Sequence, residues 1–107
     1  DGAGEILRAA IGNNAATYLT HRIWQPFGME RDATWLIDGA GGVETGGCCI
    51  SATLRDFARL GIFAMRDGVL ADGTRVLPEG WMAESIRPSA GNPGYGYLWW
   101  LMGDGSY

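Results

Sequence analysis

The run Tyr95-Gly96-Tyr97-Leu98-Trp99-Trp100-Leu101-Met102 makes the strongest demand on the fold. Strand alternation places Tyr97 and Trp99 on one face and Leu98 and Trp100 on the other, so both faces are bulky and apolar. Such a strand belongs inside a sheet covered on both sides. Tyr97, Trp99 and Trp100 are accordingly expected in a core rather than on a stacking surface for sugars or acyl groups. The rest of the chain offers that strand one short hairpin, and a lone hairpin does not make a stable sheet. The expectation is a partial α+β fold: a mostly helical segment with a hairpin and one C-terminal sheet strand. Alone, it is expected to expose an apolar patch around Trp99 and Trp100, or to cover it by self-association.

The helices are legible from their apolar spacing and stop signals. Glu5 to Ile11 carries Ile6, Leu7, Ala10 and Ile11 on one face, and Gly12 closes it. Asn14 is the expected N-cap of a second helix with Ala15, Tyr18, Leu19 and Ile23 inward, stopped by Pro26. Phe27-Gly28-Met29 forms an apolar turn. The glycine-dense stretch Trp35 to Gly47 reads as a loop folded over a neighbouring surface. Thr53 opens the clearest helix, with capping-box-like spacing to Asp56. Leu54, Phe57, Ala58, Gly61 and Met65 form its expected buried stripe, and Gly68 stops it. Asp72-Gly73 between two short apolar runs predicts a hairpin. Pro78 suits the first turn of a helix through Trp81, Met82 and Ser85-Ile86, and Ser89 to Gly94 is a loop.

At 107 residues the chain is expected to form one domain at most. Its net charge is -4 and its eight basic residues are all arginine, without a basic cluster, which argues against a nucleic-acid partner. No apolar run is long enough to span a bilayer. The sequence opens at Asp1 with no targeting signal and closes just after the aromatic run, so both ends read as cuts within a longer protein. Cys48 and Cys49 are adjacent, and two free, packed thiols are expected because a ring between neighbours is strained. The one histidine, His21, stands far from them in sequence, so no metal site and no cofactor are expected.

Three stretches in order carry a family resemblance. The first runs Tyr18-Leu19-Thr20-His21-Arg22-Ile23-Trp24-Gln25-Pro26-Phe27-Gly28-Met29-Glu30. The second is Gly46-Gly47-Cys48-Cys49-Ile50-Ser51-Ala52-Thr53-Leu54-Arg55-Asp56-Phe57-Ala58-Arg59-Leu60-Gly61. The third extends from Gly73 through Val76-Leu77-Pro78 and Trp81 to Tyr95-Gly96-Tyr97-Leu98-Trp99-Trp100. Together they resemble the serine β-lactamase-related hydrolases. That group takes in class C β-lactamases, penicillin-binding carboxypeptidases, esterases and 6-aminohexanoate-dimer hydrolases.

The resemblance implies a β-lactamase/transpeptidase-like fold and a serine nucleophile in a Ser-x-x-Lys motif. It also implies a Tyr-x-Asn-type second motif, a Lys/His-x-Gly-type third motif and an acyl-serine intermediate. None of these catalytic motifs stands in this chain. Without lysine there is no Ser-x-x-Lys, and neither Tyr18-Leu19-Thr20 nor Tyr95-Gly96-Tyr97 supplies Tyr-x-Asn. Residues 1–107 are thus expected to be an internal piece of one hydrolase domain, between its second and third motifs, with no catalytic residue and no activity alone.

The implied substrate is a small-molecule amide or ester. Gly46, Gly47 and Cys48 are the candidate substrate-contacting residues, because glycines there let backbone approach a ligand closely. An exported or periplasmic parent would suit the resemblance. His21 is expected to be a surface or half-buried structural residue, Asp56 and Arg59 a cap and local ion pair, and Glu44 a solvated loop charge. The competing expectation is a non-catalytic penicillin-binding-like or cell-wall-recognition module.

Overall fold

The computed structural model describes residues 2–107, which divide into two compact units, one ending at Gly61 and the other spanning Ile62–Tyr107.

In the first unit, α1 (Gly2–Ile11) ends where predicted, with the Gly12 N–H donating to the Arg8 carbonyl at 2.8 Å. The second predicted helix is a composite of α2 (Ala15–Leu19), a π-helical turn (Thr20–Trp24) and α3 (Gln25–Phe27). Pro26 does not stop it. The widened turn, in which the Gln25 N–H reaches the Thr20 carbonyl, shifts the ladder so that Pro26 falls in a new first turn. Gly28 ends the helix at φ 85, a left-handed conformation that suits a residue without Cβ. Ala15, Trp24 and Phe27 form the buried apolar centre here. Trp24 satisfies its ring N–H on the Arg31 carbonyl at 2.9 Å.

The stretch expected to be a plain loop is a hairpin. β1 (Thr34–Trp35) pairs antiparallel with β2 (Ile50–Ser51), in the register Thr34↔Ser51 and Trp35↔Ile50, and a further bridge joins Ile37 to Glu44. Inside it, the Asp38 carboxylate accepts from the Val43 N–H at 3.0 Å and ties off the glycine turn.

The helix α4 (Leu54–Met65) starts as predicted, with the Thr53 hydroxyl accepting from the Asp56 N–H at 3.1 Å. Its orientation is the reverse of expectation. Leu54 and Met65 are 84% and 80% exposed, and Phe57, Ala58 and Gly61 are exposed as well. The buried side is Asp56, Phe63 and Ala64. Periodicity fixes which residues share a face; it does not say which face is covered.

In the second unit, Gly68 closes α4 as predicted, its N–H donating to the Phe63 carbonyl at 2.9 Å. The Asp72-Gly73 turn also forms, with Leu70 N–H on the Thr74 carbonyl at 2.8 Å and a bridge from Val69 to Arg75. The next helix, α5, is shorter than expected, Trp81–Ser85, preceded by a turn from Pro78. Phe63, Ala64, Leu70 and Met82 are buried, and burying a Phe, Leu or Met side chain contributes roughly 1.5–3 kcal/mol.

The predicted C-terminal sheet strand is absent among the described residues. Tyr95 to Trp100 folds back on itself in a bridge, with Leu98 at φ 64 and the Gly96 N–H on the Trp99 carbonyl. A side chain at Gly96 would run into the Ser85 carbonyl, which accepts from the Tyr97 N–H at 2.7 Å. The aromatic rings pair locally: Tyr97 with Trp81, Trp100 with Tyr95, and Trp99 with Tyr107. Tyr97 and Trp100 remain more than half exposed, against the expectation of core positions. With no neighbouring strand to take its backbone bonds, the run satisfies them partly on itself and partly on Ser85, Ser89 and Asn92.

Candidate functional site

Gly46, Gly47 and Cys48 lie together in an exposed turn between the Ile37–Glu44 bridge and β2. The hairpin stem positions them. Thr45 donates its N–H to the Leu36 carbonyl at 3.0 Å, and its own carbonyl accepts from the Trp35 ring N–H at 2.9 Å. The Cys48 N–H returns to that same Thr45 carbonyl at 3.4 Å. The three candidates thus project, exposed, from a stem whose backbone is anchored on either side.

Glu44 holds this stem to the helices. One carboxylate oxygen accepts from the Ala16 N–H at 2.9 Å, and the Glu44 carbonyl accepts from Arg8 at 3.2 Å. A carboxylate at the first turn of α2 bonds a donor that the helix cannot satisfy and suits the positive end of its dipole. Asn14 occupies the N-cap position, yet its side chain makes no capping bond. Two expectations are corrected together: Asn14 is not the capping side chain, and Glu44 is not a free loop charge. The cap comes from a residue 28 positions away, beyond what local spacing can indicate.

Cys48 and Cys49 are joined as a disulfide, not left as two thiols. The turn at Cys49, with φ 87, brings the two sulfurs to one side. Both residues are exposed, so neither packs as a buried apolar group.

A hollow of about 220 Å³ lies elsewhere in the first unit, lined by Ala16, Leu19, Trp24, Thr34, Trp35 and Ile50 among others. It does not include Gly46, Gly47 or Cys48. His21 is exposed, as expected of a surface residue, with Arg22 beside it over the Tyr18 ring. Among the described residues no cluster of His, Cys, Asp and Glu could hold a metal, and no helix is long and apolar enough to cross a membrane.

The most deeply buried polar centre was legible in the sequence only in part. Asp56 is completely buried and accepts from the amides of Glu30 and Arg31 at 2.9 and 3.1 Å. The expected Arg59 pair is present at 2.8 Å. Burial alone would raise the Asp56 carboxyl, but the two amides, Arg59 and Thr53 outweigh it and hold it below its ordinary value. Arg55 adds an outer pair to Glu30, whose carboxyl is lowered chiefly by that hydrogen bond. In the second unit Asp67 accepts from Met82 and Gly80 at 2.9 and 2.7 Å and from Arg75 at 3.2 Å, and these amides hold its carboxyl low. The amide bonds of both carboxylates are long-range and leave no local pattern.

No known family model matches the sequence. The chain is similar to a 6-aminohexanoate-dimer hydrolase from Paenarthrobacter ureafaciens, 38% identical over 82 residues. The match takes in 76% of this chain and 20% of that protein, so it spans about one-fifth of the hydrolase.

Proposed function

We propose that the chain is an internal segment of a serine acyl hydrolase of the β-lactamase-related type, lying between the second and third catalytic motifs. The observation that carries the reading is the 38% identity to a hydrolase over most of this chain but one-fifth of that protein. Exposed apolar surface supports it. The α4 face of Leu54, Phe57, Ile62 and Met65 and the Leu98 and Trp100 side chains are what the remainder of a larger domain would cover. The parent would cleave a small amide or ester, a linear amide being the class that the relative's name suggests. Serine attack on the carbonyl would form an acyl-enzyme that water then hydrolyses. Gly46, Gly47 and Cys48 would border the substrate as an exposed turn, while every group that moves a proton or forms a bond would lie outside this segment.

The test is to read and express the longer coding region around the segment. A Ser-x-x-Lys motif upstream is expected, and replacing its serine with alanine should cut hydrolysis of a linear amide or ester by about a thousandfold or more. A fluorescent penicillin or chromogenic ester should neither label nor be turned over by the 107-residue chain alone. Absence of the upstream motif, or stoichiometric acylation of the isolated chain, overturns the proposal.

A further inference from the structure

We propose that Cys48 and Cys49 are a reversible dithiol–disulfide pair whose closure sets the loop that leads into β2. This goes beyond the hydrolase proposal and does not depend on it. Consecutive side chains on extended backbone point to opposite sides, which keeps adjacent sulfurs apart. Here Cys49 stands at φ 87, and the turn carries its sulfur round to that of Cys48, to which it is bonded. A positive φ is uncommon for a residue with a Cβ, so the conformation calls for a tie. The disulfide is that tie, and it lies where the backbone is held on both sides. The Cys49 carbonyl accepts from the Leu36 N–H at 3.0 Å, the Cys48 N–H donates to Thr45 at 3.4 Å, and Ile50 pairs at once with Trp35.

Both cysteines are exposed, so a thiolate in solution reaches either sulfur. The co-reactant is a low-molecular-weight thiol. Its thiolate attacks one cysteine sulfur, breaks the protein S–S bond and leaves a mixed disulfide and one free cysteine thiolate. A second thiolate attacks the outer sulfur of the mixed disulfide and departs as the small-molecule disulfide. The two cysteine thiolates take up the two protons that the small thiols released. Two electrons have passed to the pair, and a small disulfide reverses the sequence. Once open, Cys49 is free to leave the left-handed region, and the Leu36–Cys49 bond at the head of the hairpin loosens with it.

The experiment uses the full chain purified without reductant. Iodoacetamide should leave the tryptic peptide Asp32–Arg55 unlabelled, label both cysteines after dithiothreitol, and again label neither after glutathione disulfide. Amide exchange at Leu36 should run about tenfold faster in the reduced form, and Cys48→Ser should match the reduced protein. Two labels without reductant that persist after glutathione disulfide, or pairing only between chains, overturn the proposal. So does a Leu36 exchange rate that ignores the redox state.

Discussion

Asp56 and Asp67 stand at the two ends of α4 and do similar work in different surroundings. Each carboxylate gathers two backbone N–H groups and an arginine, Asp56 in the first unit and Asp67 in the second. Asp56 is sealed from solvent, whereas the Asp67 side chain keeps about a quarter of its surface. The amide partners of Asp56 lie 25 and 26 residues away and those of Asp67 13 and 15. A buried acceptor has no water to replace a lost donor, so the closed site should be the more sensitive of the two. Burial, more than the number of bonds, separates them.

Acid should produce the largest effect, because it acts on both sites at once. Both carboxyls sit below their ordinary value in the folded chain. The stability they contribute is therefore fully present above the unfolded value, about pH 4, and is lost as the pH falls through the folded values. Hydrogen exchange should show the amides of Glu30, Arg31, Gly80 and Met82 losing protection together with overall stability below about pH 4. Between pH 5 and 7, roughly, these two sites should contribute no slope. Undiminished protection at those amides at pH 2 or so would show that ionised acceptors are not what hold these segments.

Single substitutions should then pull the pair apart. Asp56→Asn removes the charge from a sealed site and turns half of the acceptor into a donor facing donors. A fall in the unfolding midpoint of about 10 °C is expected, with exchange at Glu30 and Arg31 accelerated most. Asp67→Asn should cost about half as much and act on Gly80 and Met82, since water can take up part of the lost bonding. Equal losses at the two positions would remove burial as the explanation of their difference.

The same contrast explains what the sequence could and could not disclose. Gly12, Thr53, Gly68 and Asp72-Gly73 were legible because each signal and its effect lie within a few residues. Asp56 was read only as a helix-start residue with an Arg59 neighbour; that pairing is present, but its carboxylate also reaches Glu30 and Arg31. The Glu44 cap on α2 is hidden for the same reason. The outward turn of the α4 stripe and the reversal at Tyr95 to Trp100 depend on which surfaces and strands are at hand, a property of neighbours rather than of spacing. The candidate residues Gly46, Gly47 and Cys48 do fall together in one exposed turn, as their adjacency requires. The closing of Cys49 onto Cys48 needed a left-handed residue that no composition signals.

The smallest effect should come from the outer rim of the Asp56 site. Arg55 donates two bonds to Glu30, at 3.0 and 2.9 Å, in a geometry that looks strong by distance alone. Yet the Arg55 side chain is 77% exposed, and Arg59 also approaches Glu30, at 3.6 Å. Ion pairs in contact with solvent are screened and give little net stability. Arg55→Ala should therefore leave the unfolding midpoint unchanged within error, while letting the Glu30 carboxyl rise toward its ordinary value, as a carboxylate-resolved NMR titration would record. A loss approaching that of Asp56→Asn would mean that the rim and the buried carboxylate act as one network, and the line drawn by burial would have to move outward to Glu30.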